Sequence, residues 1–251
     1  MKKITQLIFL FLIVSPILSF AQNWSVGISG GTSMYQGDVT ERFPLNLKGS
    51  KLTYGGFVKF HITDNISLRA NYLKGHISGS DSNYPRVPWR MKRGFNFKSP
   101  ITELSTIAEW DIIKKRFGKR QGSKGQLFSL YVLGGLGYVK TNPITDFNEP
   151  NPFFEDVNID KLAQFSRTHL VLPLGIGIKW HITSHNTLSF ETANRTTFTD
   201  YLDGISKTAQ PKFGDWYLVG MMSFSQNFTF SDKNNNNRHH KSNGRVSCPR
   251  F

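Results

Sequence analysis

Period-two alternation, sustained over a stretch too long for an ordinary soluble strand, limits this chain more than any other feature. From Ser166 to Ile182 the even positions include Leu170, Leu172, Leu174, Ile176, Ile178, Trp180 and Ile182, and the odd ones Arg167, His169, Gly175, Gly177, Lys179 and His181. Successive side chains of a strand point to opposite faces, so one face is apolar and the other charged or small. A water-soluble sandwich alternates in the same way, but its strands run about 5 to 6 residues, whereas tilted membrane strands need about 9 to 11. The length here fits the second.

The signature recurs. Trp24, Val26 and Ile28 alternate with Ser25, Gly27 and Ser29; Tyr54, Val58, Phe60 and Ile62 with Thr53, Gly55, Lys59 and His61; Ile66, Leu68, Ala70 and Tyr72 with Ser67, Arg69 and Asn71. Four more stretches behave alike, around Pro100 to Ile112, Phe128 to Tyr138, Leu188 to Arg195, and Trp216 to Phe230, which brings the total to eight. Joins at Thr63 to Asn65 and Thr183 to Asn186 are short, Ile113 to Gln126 is intermediate, and Gln36 to Lys51, His76 to Gly94, Thr141 to Phe165 and Thr199 to Asp215 are long. An even strand count, alternating connection lengths and aromatics near strand ends describe a bacterial outer-membrane barrel. An open sheet edge cannot face lipid, so the strands must close. The expectation is an all-β fold: a closed eight-stranded antiparallel transmembrane β-barrel with long extracellular loops and a basic periplasmic tail, in the outer membrane of a Gram-negative cell with both termini periplasmic. A soluble exported β-sandwich is the alternative.

Lys2 and Lys3, the apolar run Ile8 to Leu18, and Ser19-Phe20-Ala21 read as a secretory signal peptide over residues 1–21. Residues 22–230 are then the barrel and 231–251 a flexible basic tail. One cysteine excludes an internal disulfide framework and a cysteine-based zinc site. A charge of +14 would ordinarily invite nucleic acid, but export removes that partner.

Lumen-facing parity places Lys59, Arg69, Arg167, Lys179 and Arg195 with Glu103, Glu109 and Glu191. Eight strands leave an interior that side chains just fill, so these residues are expected to form a structural charge network rather than a pore or an acid/base pair. His61, His169 and His181 share the parity but come from two strands only and show no ligand spacing. His76, Ser78 and Asp81 make a weak serine, histidine and carboxylate trio near one rim, the minimum a lipid-modifying barrel enzyme would need. No catalytic residue, metal, cofactor or small-molecule substrate is expected.

The basic excess concentrates in Lys114, Lys115, Arg116, Lys119, Arg120 and Lys124 of one turn, and in the tail. That tail closes with Cys248, Pro249, Arg250 and Phe251 after an Asn-rich run, the form of a peptide that orders on a partner. Lys114, Lys115, Arg116, Lys119 and Arg120 are the other candidate partner contacts. Thr199, Asp200, Tyr201, Leu202 and Asp203 open the last long loop, where acidic side chains either fix a turn or contribute to a calcium site.

Several stretches carry a family resemblance: YQGDV (Tyr35 to Val39), RGFNFKSPITE (Arg93 to Glu103), GGLGY (Gly134 to Tyr138), LPLGIGIKW (Leu172 to Trp180) and TDYLDGIS (Thr199 to Ser206). The chain resembles the PorG-like outer-membrane proteins of the type IX secretion system in Bacteroidota, with Gly204 where a second acidic residue is usual. The resemblance implies a non-enzymatic outer-membrane component of a protein secretion machine, whose partners are outer-membrane lipid and the periplasmic ring lipoprotein and partner subunits. A structural or adhesive barrel binding ligands through its long loops is the alternative, and a lipid-modifying barrel enzyme the third.

Overall fold

Alternation in the chain becomes pairing in space. A computed structural model describes residues 23–37, 49–83, 91–92, 94–117, 126–146, 166–183, 185–199, 202–204 and 215–229. Its strands are β1 (Asn23–Gln36), β2 (Lys51–His61), β3 (Ile66–Ser80), β4 (Asn96–Phe117), β5 (Gln126–Thr141), β6 (Ile144–Asp146), β7 (Thr168–His181), β8 (Asn186–Thr197) and β9 (Trp216–Thr229). They pair in the order β3-β2-β1-β9-β8-β7-β5-β4-β6, and a further β3–β4 pairing closes the ring. β6 only extends the start of β4, from Asn96 opposite Asp146 to Lys98 opposite Ile144. The wall is therefore a closed, eight-stranded antiparallel β-barrel. Closure satisfies the backbone of every wall strand against a neighbour, as hydrocarbon demands.

The barrel is inside out relative to a soluble protein. Ile176 is 56% exposed on the outer face, whereas Arg69 is 1% exposed inside. Along β5 the outward series runs from Phe128 to Tyr138. Ten steps of about 3.3 Å, inclined at about 40°, cover roughly 25 Å of depth, the height of an outer-membrane apolar band. Trp24, Trp110 and Trp180 lie outward at the short-turn end, and Tyr54, Tyr72 and Tyr138 outward at the other. Those rings occupy the two interfaces where amphipathic aromatics are favoured.

Two strands run further than the alternation implies. β4 reaches Phe117, paired with Gln126, so Lys114, Lys115 and Arg116 lie on a strand and not in a turn. A register shift between Asp111 and Ile113 makes this possible. The inserted residue flips the parity beyond it, as a β-bulge does. β3 likewise runs on to Ser80, paired with Asn96, which puts His76 and Ser78 in the wall. The trio with Asp81 does not assemble. His76 is exposed on the outer face, while Asp81 is buried and its Oδ2 accepts the Phe95 N–H at 3.0 Å.

If the outer face meets lipid, Ile176→Arg should cost about 2–4 kcal/mol near the midplane. Its inward neighbour should fail for a different reason, because a Cβ at Gly177 would lie 2.5 Å from the Tyr131 ring. Urea titration of the folded barrel in lipid vesicles, with Ile176→Arg, Gly177→Ala and a loop Arg variant side by side, measures both. Equal tolerance of Arg at Ile176 and in the loop would contradict the lipid-facing assignment.

Candidate functional site

The lumen is filled in layers. Nearest the short turns, Ser25 Oγ lies 2.6 Å from His61 Nε2 and Ser67 Oγ 2.9 Å from His61 Nδ1. The Ser25 hydroxyl donates to Asn227 Oδ1 at 2.7 Å, so its single proton points away from the imidazole, and among the described residues no carboxylate is hydrogen-bonded to the ring.

The next layer is ionic and centres on Glu109. Lys59 Nζ donates to Glu109 Oε2 at 2.7 Å, Lys179 Nζ stands 2.9 Å from the same oxygen, and Arg69 Nη1 is 3.2 Å from Oε1. Arg69 reaches across the barrel and grips Glu191 with two parallel bonds of 2.9 Å. Lys179 also donates to Asp111 Oδ1 at 2.6 Å, and the Tyr131 hydroxyl donates to Glu191 Oε2 at 2.7 Å. Three cations thus meet three carboxylates, contributed by β2, β3, β4, β7 and β8. Buried ions survive only when paired and hydrogen-bonded, which is the condition met here. Asp111 and Tyr131 belong to this layer although the charge list drawn from the sequence lacked them. Both sit on inward parity, and that parity was the available signal.

Above an apolar layer of Ile107, Tyr131, Leu133 and Ala193, Glu103 Oε2 accepts from Arg195 Nε at 2.9 Å and from the Tyr217 hydroxyl at 2.8 Å. Its other oxygen accepts from Ser105 Oγ at 2.8 Å. A larger buried cluster that includes Leu73, Ile77, Phe95, Phe97, Ile101, Val139, Val171 and Leu202 then closes the long-loop end. The lumen is plugged by side chains.

Arg167 is a correction to the expected network. It is exposed in a bend before β7 begins at Thr168. Strand parity stops applying there, and its backbone carbonyl accepts the Thr141 N–H at 2.8 Å.

The last-loop motif turns inward. Asp200 and Tyr201 lie outside the described residues, but Leu202 and Asp203 are fully buried. The Tyr35 hydroxyl lies 2.8 Å from Asp203 Oδ2 and 2.6 Å from Asp215 Oδ1, while Asp215 Oδ2 accepts the Leu202 N–H at 3.1 Å. Thr199 is half-buried, and its carbonyl accepts the Asp215 N–H at 3.0 Å. Gly204 follows at φ 87°, a backbone region that glycine enters freely and that most L side chains rarely adopt. The motif is a clamp between both ends of the last loop and β1. Tyr35 and Asp215 complete it, and only the tyrosine stood in a stretch singled out from the sequence. Among the described residues no group of three or more His, Cys, Asp or Glu side chains is arranged to hold a metal.

Of the candidate partner residues, Lys115 is exposed. Lys114 is turned by the bulge toward the lumen mouth, 3.4 Å from Asp111 Oδ2 and bonded to the Asp64 carbonyl. Arg116 lies on β4. Lys119, Arg120, Lys124, Cys248, Pro249, Arg250 and Phe251 lie outside the described residues, as do the expected signal peptide and tail.

Residues 2–236 match the family described as a domain of unknown function, DUF6089. Comparison with the curated proteins gives no match. Among solved structures, the chain is similar to Ail, the attachment invasion locus protein of Yersinia pestis, crystallised with the heparin analogue sucrose octasulfate. That match has 12% identity and a TM-score of 0.43 over 82% of this chain and 99% of that one. It is also similar to the N-terminal β-barrel domain of Pseudomonas aeruginosa OprF (17% identity, TM-score 0.38, 81% and 97% covered) and to Neisserial surface protein A (10%, 0.39, 83% and 97%).

Removing the carboxylate that three cations share should be severe. Glu109→Gln is expected to cost about 3–5 kcal/mol, because buried positive charge is left uncompensated, and Lys59→Met in the same chain should recover part of the loss. Heat-modified gel mobility and urea unfolding report both variants. A stability unchanged by Glu109→Gln would mean that the network contributes nothing to the fold.

Proposed function

We propose that the chain, which belongs to the DUF6089 family since the match spans nearly all of it, is a non-enzymatic outer-membrane component of a type IX-like protein secretion machine. In this reading it is exported by its N-terminal signal, inserts with both termini in the periplasm, and associates there with ring lipoprotein and partner subunits. The observation that carries the reading is the plugged lumen. Among the described residues every charged side chain of the Glu109 layer is ion-paired with another, so the charges that fill the interior are held by one another. Function is thereby moved to the ends of the barrel and its wall. At the short-turn end, β4 carries Lys114, Lys115 and Arg116 beyond the tryptophan band. The stretches quoted above as shared with PorG-like proteins supply the secretion context.

A second reading, ligand capture by the long loops, has one observation in its favour: the Tyr35, Asp203 and Asp215 clamp anchors the ends of the last loop firmly.

Deleting residues 241–251 and replacing Lys115, Lys119 and Arg120 with Glu, separately and together, distinguish the two readings. The expected outcome is a barrel that still folds and inserts, with loss of ring subunits from detergent co-purification and loss of protein export. Cys248→Ser tests a covalent link: a slower, reductant-sensitive species present only before the exchange would establish an intermolecular disulfide. If the combined variant keeps both its partners and export, the secretion assignment fails and loop binding takes its place.

A further inference from the structure

At the long-loop end, the described residues of the outer face form a charged patch that lies where a lipid headgroup would. Register alignment across β2, β3, β4, β5 and β7 puts Tyr54 opposite Lys74, Lys74 opposite Thr102, Thr102 opposite Lys140, and Lys140 opposite Thr168. All five residues share the outward parity of the lipid-facing face, and both lysines are exposed. This row lies directly beyond Tyr72 and Tyr138, which flank Leu104 one row nearer the membrane centre. Further out, exposed His76 stands opposite Pro100 and exposed Lys98 opposite Ser78.

Among the described residues the patch is confined to one side of the barrel: on the other side of this end Thr32, Leu52, Phe198 and Trp216 are all uncharged. The nearest described carboxylate on the patch is Asp146, opposite Asn96 and two residues beyond Lys98. Neighbouring strands are about 4.8 Å apart, so the backbones bearing Lys74 and Lys140 are separated by roughly 10 Å, with Thr102 between them. Two flexible ammonium groups at that spacing can both reach one phosphate, and the threonine hydroxyl can donate to a third oxygen. The tyrosine rings just below would lie against the upper part of the acyl chains.

We propose that the face formed by Lys74, Thr102 and Lys140, with His76 and Lys98 beyond it, is a binding site for the phosphate headgroup of an anionic membrane lipid. Position favours a lipid over a soluble anion: the phosphate would sit at the polar edge of the apolar band, with its chains along the wall. Basic side chains at such an interface attract anionic lipids, which enriches them at this site over the bulk leaflet. This inference goes beyond the secretion reading and does not rest on it.

Native mass spectrometry of the full-length barrel in detergent micelles tests it, with three probes: dioleoyl phosphatidic acid, an uncharged galactosyl diacylglycerol of the same chains, and inorganic phosphate. The wild type should retain phosphatidic acid in preference to the galactolipid, and Lys74→Gln with Lys140→Gln should weaken that retention about tenfold or more. Lys92→Gln, at an exposed lysine between β3 and β4, should leave it unchanged. Each single variant is measured as well, and heat-modified mobility confirms folding, so a poorly folding double variant does not stop the test. Equal retention of the two lipids, an equal loss with Lys92→Gln, or inorganic phosphate displacing phosphatidic acid at comparable concentration would each overturn the proposal.

Discussion

Backbone hydrogen bonding in hydrocarbon is the constraint from which the remaining features follow. No water is available to satisfy an unpaired N–H or C=O, so the sheet has to return on itself, and the pairing of β3 with β4 makes it do so. With eight strands the enclosed space is only as wide as opposing side chains. Whatever occupies the inward positions must then fill that space and neutralise itself.

The chain meets this requirement by stacking apolar and ionic layers. Glu109 answers three cations at once, Arg69 joins it to Glu191 on the far wall, and Glu103 with Arg195 and Tyr217 repeats the device nearer the long loops. A network of this kind braces the wall from within, since several of its bonds join strands that are not neighbours: Lys59 on β2 and Lys179 on β7 to Glu109 on β4, and Arg69 on β3 to Glu191 on β8. The charges that face the lumen are thereby engaged with one another.

The two rims differ in character. At one end β4 carries basic residues outward past the tryptophan band, while at the other the Tyr35 clamp draws the last loop down onto a buried apolar plug. Among the described residues, the exposed lysines Lys74, Lys98 and Lys140 group on β3, β4 and β5 at the long-loop end. Such asymmetry suits a protein held in a defined orientation and meeting different surroundings on each side.

Strand existence, the facing of nearly every wall residue and the closed barrel were legible from alternation alone, because the two-residue period is a property of the backbone and not of context. So were the charges of the lumen, Lys59, Arg69, Glu103, Glu109, Lys179, Glu191 and Arg195, since parity assigns a face. What parity cannot assign is where a strand begins or where an inserted residue shifts its phase. Arg167 left the lumen because β7 starts at Thr168, just beyond it, and Lys114 turned toward it because a bulge intervenes after Asp111. Partners across the barrel were also beyond reach of the sequence. Arg69 and Glu191 are 122 residues apart and Tyr35 and Asp215 are 180 apart, and their meeting depends on strand order, stagger and closure, which exist only once the ring has formed.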